Sequence, residues 1–142
     1  MIKKSNKIKY SYIPVFIVLI MCFIFSATSG QSVIFCENVD KYGKPTNPAD
    51  TFDIDTSGSA ICILFKAGGP LNTTEVQFEI YYYDDNDSLI LNNTLTQNVQ
   101  KNWLYCWQRL SFRDAGKFKI YAYNASHELL GAGEVVLIIR KE

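Results

Sequence analysis

One histidine, His127, is present in this chain of 142 residues, so neither a pair of imidazoles for a metal centre nor a histidine relay can form within it. Acidic side chains occur in pairs, Asp53 with Asp55 and Asp84 with Asp85. Each pair lies in a turn sequence with nothing nearby to raise the pKa of one carboxyl for acid catalysis. The G-x-S-x-G, phosphate-loop and H-E-x-x-H motifs are also missing. We therefore expect a protein that is not an enzyme and has no cofactor.

The same acidic turns could supply ligands for calcium. DIDTSG from Asp53 and DDNDS from Asp84 place several oxygen ligands close together, as hard cations require. The first stretch is similar to the opening of a calcium loop but lacks its distal glutamate. Asp, Asn, Ser and Gly are also the residues that tight turns favour. We expect turns and no metal site, with calcium binding as the alternative at each.

Three cysteines, Cys36, Cys62 and Cys106, lie in apolar stretches beyond residue 30. Because three is an odd number, at most one internal disulfide can form among them. Three interpretations remain open. They are three buried thiols that pack like small apolar side chains, one internal disulfide of undetermined pairing, or a bond to another chain. Their spacing is not that of a zinc site.

The first 30 residues have the order of a secretory signal peptide. Four lysines in the first nine residues precede an uncharged run of 13 residues, Ile13 to Phe25, and small residues follow up to Gly30. The run is shorter than the roughly 20 residues that span a bilayer. We predict a signal peptide at residues 1–30 and an exported protein that is extracellular, at the cell surface or periplasmic. An uncleaved anchor and a lipoprotein modified at Cys22 are the alternatives, and only an uncleaved segment would contact a membrane.

Residues 31–142 have the usual length of one domain. They hold all 14 acidic residues and ten of the 14 basic ones, which is a net charge of −4. A mildly acidic domain without basic clusters has no electrostatic footprint for nucleic acid. We expect neither nucleic acid nor an anionic membrane surface as its partner.

This region consists of short apolar stretches separated by turn residues. AICILFKA, residues 60–67, has apolar residues at both its odd and its even positions, which predicts a central strand buried on both faces. EVQFEIYYY, residues 75–83, alternates cleanly, and LILNNTLTQNV, Leu89 to Val99, predicts a weaker edge strand. Gly43 and the prolines after it predict a long loop at residues 37–50. Seven or eight strands at this spacing are typical of an antiparallel sandwich or barrel.

The stretch RDAGKFKIYAYN, residues 113–124, resembles the D-x-G-x-Y-x-C corner before the sixth strand of immunoglobulin-like sandwiches. Asp114, Gly116, Phe118 and Ile120 occupy the motif positions. The resemblance implies a sharp turn at Gly116, a corner held by Phe118, and Ile120 packed across the core. Phe118 lacks the hydroxyl of the motif, and Ile120 stands in place of its cysteine.

The chain is therefore similar to the broad class of immunoglobulin-like sandwich domains in exported, often bacterial, proteins. This similarity predicts an all-β fold, an antiparallel two-sheet sandwich of about seven or eight strands at residues 31–142. It says almost nothing about activity, because one fold supports many functions.

The aromatic residues give the best indication of function. In immunoglobulin-like sandwiches the third and sixth strands are neighbours, so the resemblance implies that four tyrosines share one outer face. They are Tyr81, Tyr83, Tyr121 and Tyr123. Exposed aromatic side chains grouped on one face are typical of interaction sites. The alternatives are that another element covers this face or that the tyrosines only suit strand propensity.

NWLYCWQRLSF, residues 102–112, also alternates between two faces. Of its alternate residues, those predicted to face the core are Leu104, Cys106, Leu110 and Phe112. Trp103, Tyr105 and Trp107 are then predicted to point outward. Trp103 and Trp107 complete the candidate binding surface.

These features together favour an exported β-sandwich that works by binding. We expect a protein-interaction or assembly subunit of a cell-surface or periplasmic structure, with a protein partner or a second copy of itself. The tyrosine-bearing sheet and the edge strand Leu89 to Val99 would be its contact surface. One alternative is a carbohydrate-binding module that stacks a glycan on these aromatics. The other is a small protease inhibitor that presents loops such as TNPAD and KAGGP.

Overall fold

The computed structural model describes residues 32–141, which form ten β-strands. They are β1 (Val33–Cys36), β2 (Asn38–Val39), β3 (Pro45–Thr46), β4 (Thr51–Ile54), β5 (Ser59–Lys66), β6 (Glu75–Tyr83), β7 (Leu89–Asn98), β8 (Tyr105–Phe112), β9 (Gly116–Asn124) and β10 (Leu129–Ile139). Within this range no helix has the length and apolar character that a membrane span requires. The predicted signal segment at residues 1–30 lies outside the described residues.

The strands form two main sheets and a small hairpin. One sheet has the order β1-β5-β8, the other has the order β4-β10-β9-β6-β7, and β2 pairs with β3. The strand pairs are antiparallel, apart from the parallel pair of β10 and β4. The chain crosses between the main sheets between β1 and β4, and again after β4, after β5, after β7 and after β8.

This strand order is that of an immunoglobulin-like sandwich. The strands β5 and β8 take the places of B and E in one sheet, and β6, β9 and β10 take those of C, F and G in the other. The strand β7 extends the second sheet at the position of C′. The predicted fold class is therefore confirmed. Ten strands are present where seven or eight were expected, because the predicted loop at residues 37–50 contains the short strands β2 and β3.

The core lies between the two sheets and is made of their inward-facing apolar side chains. Its largest completely enclosed members include Phe65, Phe78, Ile54, Ile63, Ile80, Ile120 and Leu137. The central strand β5 is buried on both faces from Ile61 to Phe65, as its continuous apolar sequence predicted. Each such side chain stabilises the fold by about 1.5–3 kcal/mol relative to an exposed position.

The corner that leads into β9 turns at a glycine. Gly116 has a φ of +144°, a backbone conformation that side-chain-bearing residues rarely adopt. Asp114, just before it, is exposed. Phe118 is 5% exposed and packs edge-on against Phe112, with the ring centroids 5.0 Å apart. Ile120 is completely buried. An aromatic pair thus holds the corner without the hydroxyl of the usual motif.

A second apolar cluster, here called the outer cluster, lies on the outer face of the three-stranded sheet. Its buried members are Cys36, Val39, Cys62 and Leu64, and Ile34, Tyr105 and Trp107 pack against them. The hairpin of β2 and β3 reaches over this face, since the Tyr105 hydroxyl donates to the Lys41 carbonyl at 2.9 Å. Gly43 lies so close to the Tyr105 ring that a Cβ there would be 2.6 Å from Cδ1.

The prediction that Leu104 points into the core is wrong, because its side chain is 57% exposed. The strand β8 begins only at Tyr105. Leu104 belongs to the preceding loop, where its carbonyl accepts a hydrogen bond from the Ala67 amide at 3.1 Å. The alternation therefore applies from Tyr105 onward, and Cys106 and Phe112 are buried as predicted.

Candidate functional site

The strands β6 and β9 are neighbours in the five-stranded sheet, and their register places the tyrosines. Tyr121 lies opposite Glu79, and Tyr123 lies opposite Gln77. The alternate residues of both strands are buried in the core, so these positions face outward. Tyr81, two residues after Glu79, is on the same outer face.

Three tyrosines of this face contact one another in a row. The rings of Tyr81 and Tyr121 meet edge to face, with centroids 5.6 Å apart and an interplanar angle of 86°. Tyr121 and Tyr123 are 6.2 Å apart and tilted by 34°. Edge-to-face pairs are a favourable arrangement of aromatic rings. The row is therefore a preformed aromatic surface.

His127 extends this row, which the sequence alone did not indicate. Its ring stacks on Tyr123 at 4.3 Å and 12°. The turn after β9 positions it, because His127 has a φ of 58° and Asn124 Oδ1 accepts hydrogen bonds from the amides of Ser126 and Glu128, both at 2.9 Å. The Asn at the start of a turn is the one sequence feature that pointed to this conformation.

Tyr83 is held apart from the row by charged groups. Its hydroxyl donates to Glu134 Oε1 at 2.7 Å, and Lys117 Nζ lies 4.7 Å from the centre of its ring. Lys117 also forms an ion pair with Glu134 at 3.1 Å. The hydrogen bonds from Tyr83 and Lys117 lower the pKa of Glu134, and the hydrogen bond with Glu134 raises the pKa of Lys117. Both groups are therefore charged at neutral pH.

Tyr81 is neutral at physiological pH. Its hydroxyl donates to Glu79 Oε2 at 2.7 Å, and this hydrogen bond raises the pKa of Tyr81 to about 12. On the other side of the row, Lys119 Nζ lies 5.2 Å from the centre of the Tyr121 ring. The row thus has one acidic neighbour, Glu79, and one basic neighbour, Lys119.

The edge strand β7 adds exposed leucines to this surface. Leu91 lies opposite Tyr81 and Leu89 lies opposite Tyr83, so both belong to the outer face. They are 53% and 37% exposed. The tyrosine face is defined here as the outer-face residues Tyr81, Tyr83, Tyr121, Tyr123, Leu89 and Leu91. It combines an aromatic centre with an apolar margin at the edge of the sheet.

The two tryptophans predicted as part of the binding surface are not on the tyrosine face. Trp107 lies on β8 in the other sheet, opposite Leu64, and packs against the outer cluster. Trp103 is 39% exposed in the loop before β8, where its carbonyl accepts from the Leu71 amide at 2.7 Å. Both line a groove of about 360 Å³. The six aromatic residues predicted as one surface therefore lie on two, because the tyrosines belong to the five-stranded sheet, whereas Trp107 lies on the other sheet and Trp103 in the loop that precedes it.

The acidic turns are organised by hydrogen bonds of their own. Asp84 Oδ1 accepts from the amides of Asn86 and Ser88, both at 2.9 Å. The Asp55 amide donates to Ser59 Oγ at 3.1 Å. Between residues 32 and 141, no group of three or more His, Cys, Asp or Glu side chains is arranged to hold a metal ion.

The chain is thus an immunoglobulin-like sandwich with an aromatic outer face. No protein-family model and no curated protein sequence matches it. Among solved structures it is similar to an immunoglobulin-like protein from Pseudomonas aeruginosa, with 8% identity, a TM-score of 0.45, and coverage of 77% of this chain and 90% of that one. It is also similar to a superoxide reductase (neelaredoxin) from Ignicoccus hospitalis, with 9% identity, a TM-score of 0.41, and coverage of 65% and 76%. The fold assignment rests on the chain's own strand order.

Proposed function

We propose that this chain is a binding domain without catalytic activity, a protein-interaction or assembly subunit that contacts its partner through the tyrosine face. The observation that carries the proposal is that exposed leucines of β7 lie directly opposite half-buried tyrosines of β6, Leu91 with Tyr81 and Leu89 with Tyr83. Large apolar and aromatic side chains that share a solvent-facing surface gain free energy when a partner covers them. Tyrosine is also enriched in the centres of protein interfaces.

The edge of the sheet supports the same proposal. The strand β7 pairs with β6 on one side only, so the backbone groups of its other side are available for an added strand. Its sequence, LILNNTLTQN, contains neither the lysine nor the proline that commonly protects an edge. The register shifts at Asn92, and the regular stretch beyond it runs from Asn93 to Asn98. A partner strand would pair along that stretch.

The ring geometry favours a protein over a glycan as the partner. A sugar stacks on a flat, open ring face. Here one face of Tyr123 is taken by the His127 ring at 4.3 Å, and Tyr81 stands edge to face with Tyr121. Protein side chains fill such an uneven surface more readily. Carbohydrate binding is therefore the second candidate.

The signal-like composition of residues 1–30 supports the proposal that the partner is met outside the cytoplasm. This part of the proposal is supported by sequence alone. Secretion of the full chain by its own cells, with a mature product that begins near residue 31, is the expected result. An intact protein that stays in the cytoplasm would contradict it.

Site-specific photo-crosslinking in the cells that produce the chain tests the contact surface. A photoreactive amino acid is placed at Leu91 or Tyr121 of the full chain, and the matched control is Ser111, which is exposed on β8 of the other sheet. The expected result is a discrete crosslink to a protein, another molecule or a second copy, from positions 91 and 121 but not from 111. Crosslinks from 111 alone, or from none of the three positions, would overturn the proposal. Glycan-array binding that is lost in Tyr121→Ala would favour the carbohydrate alternative.

A further inference from the structure

Two of the three described cysteines lie side by side. Cys36 on β1 is directly opposite Cys62 on β5 in the antiparallel register. Both are 0% exposed, and both belong to the outer cluster. Cys106 faces the core on the opposite side of the same sheet, so the sheet separates it from the other two.

The backbone places this cysteine pair at a separation that a disulfide can bridge. The Phe35 carbonyl accepts from the Ala49 amide, and the Glu37 amide donates to the Thr46 carbonyl. The backbone groups of Phe35 and Glu37 thus point away from β5, and those of Cys36, between them, point toward it. Directly opposed residues of this kind have Cα atoms about 5.5 Å apart. Disulfides usually join Cα atoms about 4.4–6.8 Å apart.

Each thiol lies near a backbone carbonyl of the segment that carries the other cysteine. The Cys36 thiol is 3.9 Å from the carbonyl oxygen of Cys62, and the Cys62 thiol is 3.6 Å from the carbonyl oxygen of Glu37. The Cβ atoms of opposed residues are about 4.5–5.5 Å apart, and a disulfide needs about 3.5–4.5 Å. The strands must therefore approach slightly. The strand β1 can do so, because it is a four-residue strand at the edge of its sheet.

We propose that Cys36 and Cys62 form a disulfide as the chain folds in contact with a disulfide oxidant such as glutathione disulfide, and that Cys106 remains a thiol. One cysteine thiolate attacks a sulfur of glutathione disulfide and releases one glutathione. The second thiolate attacks the protein sulfur of the mixed disulfide and releases the other. The two protein thiols lose two protons and two electrons, and one glutathione disulfide becomes two glutathione molecules.

Burial determines when the exchange takes place. In the folded chain, burial raises the pKa of the Cys36 thiol to about 11, so its reactive thiolate is scarce at neutral pH. The bond therefore forms before the outer cluster closes over the pair. Once formed, it is shielded by Val39, Tyr105 and Trp107, which belong to the same cluster. The disulfide would fasten β1 to the central strand β5.

Oxidative refolding of the full chain tests this pairing. The chain carries Cys22→Ser, so that a thiol outside the described residues does not compete. It is unfolded in urea, refolded with reduced and oxidised glutathione, and digested without reduction. The expected result is a linked peptide that contains Cys36 and Cys62, a mass lower by about 2 Da, and a single thiol, Cys106, that alkylates in denaturant. The oxidised form also unfolds at a higher urea concentration than the reduced form.

Two variants complete the test. Cys62→Ala is expected to abolish the linked peptide, and Cys106→Ala, on the other face of the sheet, is expected to retain it. Three alkylatable thiols in the refolded chain, or a linked peptide that contains Cys106, would overturn the proposal. The linked peptide is measured in the chain that keeps Cys36, Cys62 and Cys106. The main result therefore holds even if a variant fails to fold.

Discussion

The hydroxyl of Tyr83 on β6 donates a hydrogen bond of 2.7 Å to the carboxylate of Glu134 on β10, across the intervening strand β9. Two lysines of β9, Lys117 and Lys119, approach the same carboxylate at 3.1 and 3.8 Å. One acidic side chain thus joins three neighbouring strands at the margin of the tyrosine face. The ionisation of Glu134 is therefore coupled to the contacts that hold these three strands together at this surface.

The contribution of Glu134 to stability is expected to fall in acid. Hydrogen bonds from Tyr83 and Lys117 lower its pKa in the folded state. A lowered pKa gives stability that is complete above the unfolded-state pKa and is lost as the pH falls through the folded-state value. The difference in unfolding free energy between the native chain and Glu134→Gln should shrink between about pH 6 and pH 3 in urea titrations. The difference is small even at pH 6, since the side chain is 41% exposed and solvent screens it. A difference that did not change with pH would exclude this role.

Removal of a core side chain on β9 is expected to be far more costly than removal of its outward neighbour. Ile120 is completely buried, so Ile120→Ala should lower the free energy of unfolding by about 2–5 kcal/mol. Tyr121→Ala, one position along, removes a half-buried ring of the outer face and should cost less. Urea unfolding of both variants makes the comparison. Equal losses would mean that the inward and outward faces of β9 are misassigned.

Gly116 is expected to resist substitution because of its backbone. At a φ of +144°, Gly116→Ala forces a side-chain-bearing residue into a strained conformation and should cost about 1–3 kcal/mol. The control is Gly68→Ala, because a Cβ there would meet nothing within 4 Å. Thermal or urea unfolding measures both. If the two substitutions had the same effect, the corner would not require glycine.

Alkaline pH is expected to destabilise the fold through Cys106. Burial raises the pKa of its thiol from the ordinary value of 9.0 to about 12. The unfolded chain then loses this proton at lower pH than the folded chain, so stability falls as the pH rises between those values, by up to about 1.4 kcal/mol per pH unit. Cys106→Ala removes this titrating thiol, and the unfolding free energy of the variant should decline less steeply above pH 9. Parallel slopes for the native chain and the variant would contradict the assignment.

Local sequence patterns predicted the strands and much of the tyrosine face. The alternation of EVQFEIYYY puts Val76, Phe78 and Ile80 on one face of the strand, and all three are completely buried. The polar character of residues 89–98 marked β7 as an edge strand. Such predictions succeed because side-chain alternation is a local property of a strand.

Contacts between distant segments could not be predicted in this way. Alternation does not reveal where a strand begins, so Leu104 was placed in the core although β8 starts one residue later. Nor does it reveal which sheet a strand joins, so Trp107 was grouped with tyrosines of the other sheet. The stack of His127 on Tyr123 depends on the conformation of a turn. Each of these features is decided by tertiary structure.

The parallel pairing of β10 with β4 has a consequence for biosynthesis. β10 follows the other nine described strands in the chain, yet it lies inside the five-stranded sheet, between β9 and β4. The ribosome must therefore extrude all ten described strands before this sheet can assemble completely. Pairing of segments so distant in sequence is also slow, on the order of milliseconds to seconds. The complete five-stranded sheet, with its aromatic outer face, therefore forms only after β10 has been synthesised.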